Sequence, residues 1–301
     1  MSEDYRSRRT GLLLGLGAYL MWGVLPIYFK AIGHVAATEI VSHRIVWSLI
    51  FLAILATILR RWSGIRAALA TPRVAMTLVL TAVLIGANWL IWIYAVVSGH
   101  MLEGSLGYYL NPLVNVTLGV FLLKEKLTRA QIVAVFLAAG GVAVLAAGAS
   151  GAIWISLSLA GSFALYGFLR KVAPVDSIEG LSIETALLGP IAFGWIMIVQ
   201  GRGDGAWLGG DSVTDLLLLA GGVITAVPLL LFTAAARRLP YSTLGFLQYV
   251  APSLQFLLAV LVYGERFTLA HAICFGAIWT ALFVFAFEGV RMSARARAGI
   301  R

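Results

Sequence analysis

Residues 105–128, SLGYYLNPLVNVTLGVFLLKEKLT, and residues 245–268, GFLQYVAPSLQFLLAVLVYGERFT, decide the fold when one is laid on the other. At a constant shift of 140 and without a gap, Tyr109 meets Tyr249, Pro112 meets Pro252, Asn115 meets Gln255, Glu125 meets Glu265 and Thr128 meets Thr268. The same shift carries Lys30 onto Arg170, Glu39 onto Glu179 and Ser42 onto Ser182. Apolar coincidences mean little in a chain rich in Leu and Ala, so the scarce polar residues and prolines carry the repeat. The copies are residues 10–149 and 150–290, joined by AAGASGA at 146–152.

Composition says what solvent these copies meet. Hydrophobic residues make up 61% of 301 and charged residues 12%, far from the roughly half and one-quarter of soluble domains. A hydrocarbon core of ~30 Å takes about 20 apolar residues per helix. Runs of that kind lie at 11–30, 38–59, 74–98, 104–123, 129–147, 151–169, 180–200, 213–235, 242–263 and 267–289. The chain therefore reads as an all-α membrane protein of ten transmembrane helices, five in each copy. The first run follows Arg6, Arg8 and Arg9 as a signal peptide would, but it is too long and ends in Lys30 without a small-residue cleavage site.

The basic residues orient these helices. With the N-terminus inside, 18 Lys and Arg fall on the cytoplasmic side, among them Arg60, Arg61, Arg66, Arg73, Arg170, Lys171, Arg237 and Arg238. Only Lys30, Arg202 and Arg266 face outward. Both termini are then cytoplasmic in a bacterial-type plasma (inner) membrane. The net charge of +9 comes in short clusters between apolar runs, which is a topology signal and not the continuous patch of a nucleic-acid binder. One cysteine, Cys274, excludes an internal disulfide and a Cys-rich metal site.

An odd number of helices per copy forces the second copy to insert upside down. The loops agree: RRWSGIRAALATPR at 60–73 carries four Arg, and its counterpart QGRGDGAWLGGDSV at 200–213 carries one Arg and two Asp. Inverted repeats give a protein nearly equivalent inward-open and outward-open states, and that is a transporter architecture.

Polar groups inside the spans are candidates for a pathway, because lipid does not solvate them. In helix 2, His43 and Trp47 share a face, with Arg44 beside Ser48; Glu39 and His43 have the spacing of a metal pair but lack further ligands, so no metal or cofactor is expected. Glu184 holds the place of Arg44 in the inverted copy, toward the other side of the membrane, so direct pairing of the two is not expected. In helix 4, Tyr108, Asn111 and Asn115 recur at i, i+3 and i+7, and in helix 9 Gln248 and Gln255 stand in the places of Tyr108 and Asn115, with Tyr249 and Pro252. Each proline frees a carbonyl and should kink its helix. Trp22, Asn88, Trp92 and Tyr166 add aromatic walls and fixed donors suited to an amphipathic small molecule. His43 and Glu184 are the candidates for proton coupling. Gly11, Gly15, Gly140 and Gly141 read as close helix packing.

The strings YLMWGVLPIYFK, SHRIVWS, NWLIWIYAV, SLGYYLNPLVN, ALYGFLRK, TAVPLLLFTAA and STLGFLQYVAPSLQFLLAV resemble the RarD-type branch of the EamA family, in the drug/metabolite transporter superfamily. The likeness runs through essentially the whole chain. It implies two five-helix EamA-type units, a central cavity and secondary export without ATP. The reading that follows is a secondary active transporter, an exporter of a small amphipathic metabolite or drug by alternating access, with the lipid bilayer and a small-molecule substrate as its partners. The alternatives are a passive channel or facilitator, a regulatory membrane partner, and an intramembrane lipid-modifying enzyme. The enzyme reading is disfavoured because HExxH, GxSxG and paired carboxylates are absent from the sequence.

Overall fold

The apolar runs fold as helices throughout the computed structural model, which describes residues 3–98, 100–147, 153–264 and 269–297. In order these are α1 Glu3–Ala31, α2 Ala37–Ile58, α3 Trp62–Ala70, α4 Pro72–Val97, α5 Met101–Phe121, α6 Arg129–Ala146 and α7 Ile153–Val172. Then follow α8 Ser177–Gly201, α9 Ser212–Ala236, α10 Tyr241–Gln248, α11 Val250–Leu257, a π-helical turn Leu258–Val262 and α12 Leu269–Arg297. Among the described residues nine stretches are long and apolar enough to cross a bilayer. The other long helix, α5, lacks their sustained apolar run because Glu103, Tyr108, Tyr109, Asn111 and Asn115 interrupt it.

Three departures from the expected helix limits have plain causes. The ninth run, 242–263, is broken at Tyr249 into α10 and α11. Pro252 cannot donate to the carbonyl of Gln248 four residues back, and the break falls there. Pro112 does not break α5. Within the expected cytoplasmic loop, WSGIRAALA folds as the short helix α3, whose buried Ile65 and Ala68 pack beside α8. Finally, α1 and α12 extend past their apolar runs into Arg-bearing turns, where polar surroundings tolerate charge.

The chain divides into two compact units, residues 1–94 with 165–239, and residues 95–164 with 240–301. Each draws on both sequence copies. In the first unit α2 packs on α8 and on α9, and α1 on α9. The α2–α9 approach is backbone to backbone: a Cβ on Gly222 would lie 2.4 Å from the carbonyl carbon of Trp47, while the Ser48 hydroxyl donates to the Gly222 carbonyl at 2.9 Å. Small residues admit such contacts, which replace the hydrophobic drive that lipid cannot supply. Gly11 packs closely against side chains, where an added Cβ would lie 2.9 Å from Arg238 Cβ, whereas Gly140 faces open space.

In the second unit α5 packs on α10 and α6 on α12. Buried Leu106, Val116, Ala138, Val142, Phe246, Cys274 and Ile278 form its core. Outward faces are apolar in both units, with Phe136 and Ile191 73% and 74% exposed, as surfaces solvated by hydrocarbon are.

Helix ends are fixed by side chains. Thr128 and Gln131 form a capping box on α6, with Gln131 N–H to Thr128 Oγ1 at 3.3 Å and Thr128 N–H to Gln131 Oε1 at 2.9 Å. Asp211 caps α9; the Thr214 hydroxyl and the Val213 N–H donate to its carboxyl and hold it below the usual carboxylate range. At the other end of α9, Lys171 Nζ donates to the carbonyls of Ala236 and Leu239 at 2.8 and 2.5 Å.

Glu125 caps α10 from a distance. It accepts from the N–H of Tyr241, and from the N–H and hydroxyl of Ser242 at 2.9 and 2.6 Å. A carboxylate satisfying several orphan donors at a helix N-terminus is a strong cap. Glu125→Ala is expected to cost about 2 kcal/mol, read as a lower melting temperature in detergent, with Glu125→Gln losing less. A Glu125→Ala protein that melts with the wild type would show the cap to be idle. Glu265 and Thr268, the repeat counterparts of Glu125 and Thr128, lie outside the described residues, as do Arg266, Arg301 and most of the 146–152 junction.

Candidate functional site

In the first unit the sequence-expected residues fall into two groups. Glu184, on α8, is 1% exposed and paired with a residue that the sequence placed in a cytoplasmic loop. Arg170, in the last turn of α7, is fully buried, with Nε 3.5 Å from Glu184 Oε1. Arg170 thus ends α7 inside the protein and not in a solvated loop, and a carboxylate, not water, takes its charge. The neighbouring Lys171, also counted as a loop residue, caps α9.

Two hydroxyls complete the Glu184 site. Thr81 donates to Oε1 at 2.6 Å and Tyr166 to Oε2 at 3.2 Å. The guanidinium of Arg170 lies flat on Gly180, where a Cβ would sit 1.8 Å from Nη1, and Nη2 reaches the carbonyls of Asp176 and Ser177 at 3.3 Å. Tyr166 also stacks on Phe232 at 6.4 Å, and Phe232 in turn packs on Trp22 at 5.7 Å and on Tyr19 at 6.3 Å. Trp22 and Tyr166 thus belong to one aromatic group beside the buried carboxylate.

The second group surrounds helix α2. Arg44 is half-buried; its Nε donates to Thr225 Oγ1 at 2.7 Å, and its guanidinium lies 5.3 Å from the Phe29 ring centre and 5.9 Å from that of Trp89. Such faces stabilise a cation away from water. His43, 2% exposed, accepts from Trp47 Nε1 at 3.3 Å, as the four-residue spacing requires. Its Nε2 is 3.8 Å from Glu39. The Trp207 ring covers both His43 and Trp47, at 5.2 and 5.3 Å, and Glu39 Oε1 accepts from the Ala206 and Trp207 N–H groups at 2.8 and 3.4 Å. Ser48 is spoken for by Gly222 and does not serve Arg44. Asn88, on α4, is buried and Trp92 half-buried.

In the second unit the polar stripe of α5 turns inward. Asn111 and Asn115 are 1% and 0% exposed, and Asn115 Nδ2 donates to Gln248 Oε1 at 2.8 Å, joining α5 to α10. The carbonyl oxygens of Asn111 and Asn115 and the hydroxyl of Tyr249 are buried with no hydrogen-bond partner among the described residues. Buried polar atoms in that condition await water or a ligand group. Gly245 lets the helices meet here, for an added Cβ would lie 2.9 Å from the Pro112 carbonyl oxygen. Tyr108 and Gln255 are half-buried. Gln248 and Asn115 were expected on the same kind of stripe; that they bond to each other follows from the α5–α10 pairing.

A buried charge pair and buried amides in helices with lipid-facing exteriors suit a protein that handles solutes, and comparison with known proteins agrees. The model of the EamA-like transporter family matches residues 9–147. Over 99% of this chain and 98% of its own, an uncharacterized transporter of Vibrio cholerae is 46% identical. The protein RarD of Escherichia coli is 45% identical over 95% of this chain and 97% of its own. The chain belongs to the EamA family. It stands in the RarD-type branch, and a chloramphenicol-sensitive protein RarD of Pseudomonas aeruginosa is 34% identical over 96% of it. A crystal structure shares the EamA chain's fold with a TM-score of 0.73, covering 94% of it at 21% identity. The chain is thus a multi-pass membrane protein of a bacterial transporter family.

Arg170, Thr81, Thr225 and Trp207 were missed by sequence reasoning. For Arg170 a signal existed: it follows Tyr166 by four residues, on the same helix face, and it matches Lys30 in the repeat. Thr81 and Trp207 carried none, since single Thr and Trp residues are common in such runs.

Proposed function

We propose that this EamA protein is a secondary carrier that exports a small amphipathic metabolite or drug by alternating access. The observation that carries the reading is the Asn115–Gln248 bond, flanked by unpartnered buried oxygens, on helices bound for lipid. Buried polar atoms are ordinarily satisfied, so the unpartnered oxygens leave room for a ligand or water. In this reading Trp22, Trp92, Tyr108, Tyr166 and Tyr249 give walls, Arg44 attracts an anionic group, and His43, Asn88, Asn111, Asn115, Gln248 and Gln255 fix orientation. Glu184 and His43 carry the coupling proton.

The architecture belongs to the proposal: ten spans, two inverted copies at 10–149 and 150–290, and both termini in the cytoplasm. Helix pairing supports it. Helices beside a pseudo-two-fold axis that exchanges the copies pack on their own counterparts, and α2 with α8, α5 with α10, and α6 with α12 are such pairs at the 140-residue shift.

The test begins with thermal stabilisation of the purified protein by a metabolite and antibiotic panel, with chloramphenicol included on account of the Pseudomonas relative's name. Flux in liposomes follows. Arg44→Ala and Asn115→Ala should each lower flux about tenfold or more, the scale of a lost hydrogen bond to a charged or buried group, with normal yield of folded protein. Unchanged flux in both removes them from the pathway. Saturation and counter-transport exclude a channel.

A further inference from the structure

We infer that Glu184, with Arg170 as its positioning partner, is the proton switch that couples this carrier to a pH gradient, an assignment that rests on the carrier reading above. Four side chains from three helices meet here: Thr81 from α4, Tyr166 and Arg170 from α7, and Glu184 from α8. What distinguishes the site from a structural ion pair is that its carboxyl group is provided for in either protonation state.

In the state observed, both carboxylate oxygens accept from hydroxyls and one faces the guanidinium. The Thr81 hydroxyl also lies 3.0 Å from the carbonyl of Leu78. A hydroxyl has one proton and two lone pairs. When Glu184 takes a proton, Thr81 can turn its own proton to Leu78 and accept the new one from the carboxyl group. The neutral acid therefore keeps its hydrogen bonds without any movement of helices.

Arg170 has no such alternative. Its Nε faces the carboxylate, Nη2 has two long bonds to carbonyls, and the Tyr166 hydroxyl beside it is a neutral acceptor that does not balance its charge. Protonation of Glu184 removes the carboxylate's charge and leaves a full positive charge buried beside lipid. An uncompensated buried cation is costly, so protonation favours a second arrangement of the α7 end and the α8 start in which the guanidinium finds water or an anion. The proton comes from water on one side, adds to the carboxylate, and leaves to water on the other when the pair re-forms.

The charged groups of the surrounding elements are otherwise engaged. On α8 itself Glu179 pairs with Arg61, which precedes α3, at 3.2 Å. On α2, Glu39 holds the 206–207 backbone, His43 holds Trp47, and Arg44 holds Thr225; on α9, Asp215 accepts from the Leu208 N–H. Asp176 pairs with Arg61 and Arg237, and Lys171 is bound to carbonyls. Arg73 on α4 is exposed.

The test has two arms. Infrared titration of the purified protein should show a carboxylic-acid C=O band that grows on acidification, is missing in Glu184→Gln, and appears at a displaced pH in Tyr166→Phe. No Glu184 band over the range in which the protein stays folded overturns the inference. In liposomes, a pH gradient should accelerate chloramphenicol flux by about fivefold or more, the low end of coupling between sites. Glu184→Gln, fixed in the neutral form, should lose the acceleration, so that whatever flux it retains no longer responds to the gradient. Exchange in the wild type that ignores the gradient, or acceleration that survives Glu184→Gln, overturns the switch and leaves the carrier standing. No exchange at all counts against the carrier, and the infrared arm then decides the switch alone.

Discussion

Gly180→Ala should destabilise the folded protein by about 3–5 kcal/mol, the cost of breaking a buried ion pair. The added Cβ would lie 1.8 Å from Arg170 Nη1 and 2.4 Å from Cζ, too close for any real contact. A surface arginine would swing away at little cost. Arg170 is fully buried, with its Nη2 tied to two carbonyls and Glu184 across from its Nε. Displacing it separates the charges and leaves both without compensation. Gly140→Ala is the control, since nothing lies within 4 Å of its Cβ position; an exposed helix glycine exchanged for alanine should be stabilising by up to about 1 kcal/mol. Melting temperatures of the two proteins in one detergent should move apart. If Gly180→Ala melts with the wild type, the guanidinium is not seated on that glycine.

Gly222→Ala should cost about 3 kcal/mol, at the upper end of overpacking effects. Here the obstacle is main chain: the new methyl would stand 2.4 Å from the carbonyl carbon of Trp47 and 2.6 Å from its Cβ. Backbone cannot rotate out of the way, so α2 and α9 must separate. Separation stretches the Ser48 bond to the Gly222 carbonyl and draws Thr225 from Arg44. The neighbouring substitution Gly221→Ala meets only side-chain atoms, the Tyr28 hydroxyl at 2.7 Å and Arg44 Cγ at 3.0 Å, and should cost less because side chains can shift where backbone cannot. The comparison is read from thermal unfolding, and equal losses at the two positions would refute the backbone contact.

Much of the fold was legible because lipid imposes one rule, that a span needs a long apolar run with its hydrogen bonds made internally. Apart from the extended outer ends of α1 and α12, the helices follow the expected limits within a few residues, and the broken ninth run falls where Pro252 removes a donor. Local spacing also told which side chains share a face, as with His43 and Trp47. It could not tell which face of which helix meets another. Arg170 looked like an ordinary basic residue after an apolar run, and nothing near it in sequence reveals that Glu184 folds back onto it from 14 positions away. Asn115 and Gln248 were each recognised as polar residues needing a partner, but their bond depends on α5 meeting α10. The helix α3 was hidden because its nine residues are too few and too mixed to stand out from a loop.

The interruption at Tyr249 changes how force travels along that part of the chain. An unbroken rod moves as one lever, so a push at either tip is felt at the other. Here the segment Tyr241–Gln248, anchored through its first residues to Glu125, is jointed to the segment Val250–Leu257. Gln248 closes the first segment and is held by Asn115, so that segment is fastened at both of its ends.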